Sequence, residues 1–115
     1  MSGRIELEKA RLLKTLDNFR FHGLSVPGHD HQSIVDYLVD GTPLGDFLKA
    51  IAENNLMRAV SSADSSNLRN LTAVVAWFYN EAPSAAWGSE ERYKQCVKQH
   101  EHIVETTTDP MEKDA

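Results

Sequence analysis

At 115 residues the chain has room for one domain with a modest core, and 41% hydrophobic against 25% charged residues excludes wholesale disorder. Twelve basic side chains against seventeen acidic ones leave a net charge of −5, which argues against a general grip on duplex nucleic acid or an acidic membrane surface while leaving room for a small anionic ligand. The single Cys96 excludes an internal disulfide and a cysteine-based zinc site, and no apolar run reaches the length of a membrane span.

Residues 4–20 read as a first helix. Ile5, Leu12, Leu16 and Phe19 share a face that Leu13 widens, and Gly23 stands just beyond as a stop signal. Glu6, Glu8, Lys9, Arg11 and Lys14 form the solvated side. Residues 1–25 are therefore expected to be a peripheral helix and arm. The opening M-S-G-R-I-E-L-E-K has acidic residues where a signal peptide needs an apolar centre, so a cytoplasmic location is expected.

In the loop that follows, Pro27 and Gly28 break regular structure, and His29-Asp30-His31 raises the question of a metal. No distant Cys or Glu-x-x-His partner completes a ligand set, and Asp30 reads instead as the N-cap of a second helix. That helix spans about His31 to Val39, faces Ile34, Tyr37 and Leu38 inward, and stops at Gly41. A third helix is expected from Pro43 to about Ser62, with Thr42 as its cap and Pro43 in the first position. Leu44, Phe47, Leu48, Ile51, Leu56, Ala59 and Val60 recur at helical spacing, and Gly45 leaves the first turn open to close approach. Asn54 and Asn55 fall in its middle, as part of a solvated face or as hydrogen-bonding groups for a neighbour or ligand.

Ser61 to Asn67 marks a break, with Asp64 capping a fourth helix over about 65–81. Leu68, Leu71, Val75 and Phe78 line one side of it, and Val74 and Trp77 extend the apolar arc. So wide an arc predicts a central helix or one covered by another subunit. After Pro83, Trp87-Gly88 turns the chain and Ser89 caps a fifth helix, with Glu90 and Glu91 complementing its dipole. Tyr93, Cys96, Val97, His100, Ile103 and Val104 give that helix its inner side, and residues 106–115 read as a flexible tail. No strand pattern or repeat is visible. The expectation is one all-α domain over 1–105, a compact bundle of four to five short helices that forms a homo-oligomer.

No motif for nucleophilic, metal-assisted or P-loop chemistry occurs, so no enzyme, cofactor or metal is expected. His100 and His102 lie two apart on a helix and diverge, and Cys96 reads as a small buried hydrophobe. Two features point elsewhere. Gly41-Thr42-Pro43-Leu44-Gly45 and Trp87-Gly88-Ser89 are glycine-marked helix starts, where backbone N–H groups and a hydroxyl could hold a phosphate. Beside them stand Tyr37, Tyr79, Trp87 and Tyr93, whose faces could stack on bases, and Arg69 and Arg92 could supply charge. Each feature alone reads as a cap or as core. Together they suggest a nucleotide-like ligand.

The succession D-G-T-P-L-G-D-F-L-K-A-I, N-N-L-x-x-A-V, A-D-S-S-N, F-Y-N-E-A-P-S and W-G-S, over about residues 34–93, resembles small phage-encoded helical proteins. Among these it is most similar to the anti-CBASS sponges, oligomeric proteins that sequester the cyclic oligonucleotide signals of bacterial immunity. The resemblance implies binding without cleavage, in pockets shared between subunits. Tyr37, Gly41, Thr42 and Gly45 match the tyrosine and glycine-backbone positions, and Arg69 or Arg92 would take the arginine role. Where the pattern carries a lysine after the turn glycine, this chain has Thr42 or Leu44. The implied function is phage counter-defence by sequestering a cyclic di- or trinucleotide in the host cytosol. A sponge for another defence nucleotide, such as a Thoeris signal, fits the same residues. The alternative from another class is a helical interaction module that inhibits a host protein.

Overall fold

The computed structural model describes residues 2–98. Among them every regular element is helical, and the only β pairing is a single bridge between Phe21 and Leu24. The expected all-α class holds, but the four to five helices become seven shorter ones. They are α1 (Ser2–Asn18), α2 (His31–Asp40), α3 (Asp46–Ala52), α4 (Leu56–Ser62), α5 (Ser65–Arg69), α6 (Leu71–Glu81) and α7 (90–98). Single 3-10 turns at Gly28–Asp30 and Ser84–Ala86 introduce α2 and the loop before α7. No helix of the described residues is long and apolar enough to cross a membrane.

α1 packs on α2 through Leu12 and Leu16, whereas Ile5 and Leu7 in its first turns are exposed. Lys9 ties the two helices from outside, its Nζ 2.7 Å from Asp40 Oδ2 and 3.3 Å from Asp36 Oδ1. The chain then reverses at Phe21–Leu24, whose backbones exchange two hydrogen bonds across His22 and Gly23. Both central residues have positive φ (53° and 79°), the geometry of a tight hairpin turn.

The predicted third helix divides at Asn54. That residue adopts φ +62°, a left-handed conformation that asparagine tolerates better than most side chains. Asn55 then caps α4, its Oδ1 accepting from Arg58 N at 3.1 Å. The start of this segment also differs from expectation. Gly41 closes α2 in the left-handed region (φ 76°), residues 42–45 run without helical structure, and Gly45 rather than Thr42 stands at the cap of α3. The fourth predicted helix divides at Asn70, which separates α5 from α6. Asn70 holds the kink with its side chain: Nδ2 donates to Ser66 O and Oδ1 accepts from Ser25 N. Asp64 caps α5 as expected, with Oδ1 2.8 Å from Asn67 N.

The core gathers Leu12, Leu16, Ile34, Val35, Phe47, Leu48, Val74, Trp77 and Phe78. α6 is its central rod, but the buried side is centred on Val74 and Trp77. Leu68 and Val75, expected inside, are 50% and 44% exposed. The predicted buried residues His100, Ile103 and Val104 and the tail from 106 lie outside the described residues.

Candidate functional site

The two glycine-marked turns meet through a pair of tyrosines. Tyr37 on α2 is fully buried and stacks on Tyr93 of α7, with ring centroids 5.4 Å apart. Tyr37 Oη donates to Ala86 O at 2.6 Å, and Tyr93 Oη accepts from Leu44 N at 3.0 Å. Burial pushes the Tyr37 phenol well above its ordinary range, so it stays a neutral donor. Cys96 adds its thiol 3.7 Å from Tyr37 O, and burial raises that thiol too. Lys49 places its ammonium 5.7 Å from the centre of the Tyr93 ring, on the periphery of this clasp.

Four backbone donors of the two turns are engaged by the chain itself. Gly41 N–H donates to Tyr37 O at 2.9 Å, Thr42 N–H to Asp36 O at 3.3 Å, and Leu44 N–H to Tyr93. Pro43 has no N–H to offer. In the second turn Gly88 N–H donates to Ala52 O at 2.8 Å and so satisfies the carboxyl end of α3. Ser89 Oγ accepts from Arg92 N as the predicted cap of α7. Arg92 folds back over Gly88 and donates to Ser84 O at 3.1 Å and Trp87 O at 3.2 Å. Thus Tyr37, Gly41, Thr42, Trp87, Gly88, Ser89 and Arg92 belong to one connected framework at the α2–α7 end of the fold. Gly45 is exposed, with open space around its α-carbon. Arg69 ends α5, on the element that Asn70 links to Ser25 rather than to either turn.

Among the described residues, a different surface is left without cover. Leu56, Met57, Leu68, Val75 and Tyr79 from α4, α5 and α6 are all between 44% and 83% exposed. Between α3, α4 and α6 lies a cleft of about 220 Å³, floored by Ala59 and Phe78 and bounded by Leu56, Val75, Tyr79 and Trp87. It adjoins a wider apolar groove of about 610 Å³ that shares Leu56, Val75 and Tyr79 and runs to Phe21 and Leu71. The Tyr79 and Trp87 rings are 5.9 Å apart and tilted by 57°, and Asn54 and Asn55 stand at the rim of the cleft. Trp87 Nε1 donates to Ala82 O at 3.3 Å, which fixes its ring as a wall.

Of the predicted site, then, Trp87 alone borders this cleft. Tyr79 was legible as an aromatic, and Asn54 and Asn55 as polar groups in an apolar stripe, but nothing local in the sequence says that they converge. Among the described residues no cluster of His, Cys, Asp and Glu is arranged to hold a metal ion. Comparison with known protein families, with characterised proteins and with solved structures finds no match to this chain.

Proposed function

We propose that this protein works by binding rather than by chemistry, as a helical interaction module that docks through the face formed by α4 and α6. The observation that supports it is the continuity of that face: Leu56, Val75 and Tyr79 border both the cleft and the adjoining groove and are themselves exposed. Contiguous apolar surface of this kind marks contact sites, whereas apolar residues scattered singly do not. Its helical side chains and shallow cleft suit the apolar surface of another protein, in keeping with inhibition of a partner by occupancy.

The second reading is sequestration of a cyclic or adenine-containing nucleotide, the phage counter-defence role implied by the motif resemblance. The Tyr79–Trp87 pair and the Asn54 and Asn55 amides favour it, since rings and amides are what a base face and a base edge need. That site would be the α3–α6 cleft and not the Gly41–Gly45 turn. Self-association fits either role.

The test uses wild type, Leu56→Asp and Tyr79→Asp, both variants checked for unchanged helicity and melting temperature. A docking module retains a defined partner from its host that both variants lose. For the nucleotide role, each protein is incubated with cyclic di- and trinucleotides, removed, and then denatured to release what it held. Intact nucleotide withheld by wild type and lost in Trp87→Ala would replace the docking proposal with sequestration. A partner retained equally by all three proteins would refute the assignment of the face.

A further inference from the structure

One polar cluster is buried apart from the apolar core, where the turn ahead of α2 meets the start of α5. Asp30 and Asn67 are the two buried polar side chains among the described residues, 6% and 4% exposed. Asp30 stands at the cap position of α2 but makes no capping hydrogen bond with its side chain, contrary to the expectation from sequence. Its carboxyl is instead buried beside the Asn67 amide, which favours the ionised form. Asp30 Oδ2 and Asn67 Oδ1 have no hydrogen-bond partner among the described residues. A buried acceptor without a donor is costly, and here each of the two side chains carries one.

A proton on the carboxyl repairs this. A carboxylic acid donates one hydrogen bond, whereas a carboxylate only accepts. Burial pushes Asp30 above the ordinary carboxylate range, against the opposing pull of His29 and of the Asn67 amide. The other charged groups facing it come from both sides of the junction. His29 Nε2 lies 3.6 Å from Asp30 Oδ1 and 3.1 Å from Asp64 Oδ2, so the imidazole bridges the turn to the cap of α5. Asp64 opposes ionisation of Asp30 from the α5 side, and His31, engaged with Val26 O at 2.9 Å, favours it from the α2 side.

We propose that Asp30, Asn67, His29 and Asp64 form a proton-operated latch that holds the turn ahead of α2 against α5, closed with Asp30 protonated and loosened when its proton passes to solvent. The direction follows from linkage. An aspartate whose folded form holds its proton more tightly than the unfolded chain contributes stability fully below the ordinary value of about 3.9, and loses it as pH rises through the raised value. The amides that report closure are those of Asn67, Leu68 and Asn70, which hydrogen-bond to Asp64 Oδ1, Asp64 O and Ser66 O.

Hydrogen exchange of these three amides in the full chain, corrected for intrinsic rates, tests the latch between about pH 4 and about pH 7. In wild type their protection is expected to fall severalfold as pH rises. In Asp30→Asn, which is neutral at every pH and always carries a donor, it is expected to fall less, the remaining change belonging to the His29–Asp64 pair that this substitution leaves in place. Identical pH profiles for the two proteins would overturn the latch. The carboxyl carbon resonance of Asp30 in wild type decides independently, should Asp30→Asn fail to fold. Its titration midpoint is expected above the ordinary aspartate range and higher still in His29→Gln, and a midpoint within or below that range would overturn the proposal.

Discussion

Removing one oxygen from Tyr37 tests whether the α2–α7 end is a clasp or a ligand site. Tyr37→Phe keeps the ring and its stack on Tyr93 but deletes the donor that reaches Ala86 O at 2.6 Å. Ala86 is itself buried, so its carbonyl is left without that donor away from water. Losing one partner of a buried hydrogen bond costs about 1–3 kcal/mol. At roughly 4 °C per kcal/mol for a domain of this size, the melting temperature should drop by about 4–12 °C. Thermal melts followed by circular dichroism and urea titrations would measure it, with an unchanged folded spectrum because the ring still fills its place. Tyr79→Phe is the control: that side chain is 71% exposed, and a change within about 0.5 kcal/mol is expected. A Tyr37→Phe protein as stable as wild type would refute the clasp.

The same hydroxyl gives a pH signature. Burial raises its folded-state value, so the native chain keeps a proton that the unfolded chain releases from about pH 10 upward. Its contribution to stability is therefore intact below about pH 10 and declines above it. Tyr37→Phe should remove that part of the alkaline decline. Equal alkaline slopes in the two proteins would count against a buried neutral phenol.

Asn54 at φ +62° should respond to substitution in opposite directions: Asn54→Ala is expected to lose about 1 kcal/mol, and Asn54→Gly to hold or gain stability in urea titrations. The two turn glycines should differ in the same assay. Gly41→Ala, at φ 76°, should cost about 1–2 kcal/mol. Gly45→Ser, at φ −71° with nothing near an added β-carbon, should gain about 0.5 kcal/mol through a new cap and a less flexible unfolded chain. Because burial raises the Cys96 thiol, iodoacetamide at neutral pH should modify it severalfold more slowly in the folded protein than in urea.

What the sequence discloses and what it hides both follow from the range of the interactions concerned. Gly41 as a stop and Asp64 and Ser89 as caps are decided within four residues, and each was readable. The breaks at Asn54 and Asn70 were not, because asparagine is a mediocre helix former that can continue a helix or leave it, at Asn54 through a left-handed turn and at Asn70 without one. Asn70 is held by Ser25, 45 residues away, and no local pattern contains that contact. The rotation of α6 was hidden for another reason. With Leu71, Val74, Val75, Trp77 and Phe78 spread around the helix, periodicity does not fix which side faces the core; the neighbours that bury Trp77 and expose Val75 do.

The two glycine turns are built from parts that serve either of two ends. A helix start that could bind phosphate and one that closes a fold are built from the same parts: glycine for the turn, free amides, a hydroxyl and aromatic rings nearby. What separates them is whether the donors are already spent. Here Tyr93 Oη takes the Leu44 amide, Ala52 takes Gly88, and Arg92 is committed to two carbonyls of its own loop. A phosphate taking these particular donors would displace bonds that hold α2, α3 and α7 together, at a cost in stability. The α4–α6 face carries no such conflict. Leu56, Val75 and Tyr79 can be covered without breaking any hydrogen bond within the chain, and covering them removes apolar surface from water. Contact at that face and stability of the fold therefore pull in the same direction, which is why the functional reading rests there.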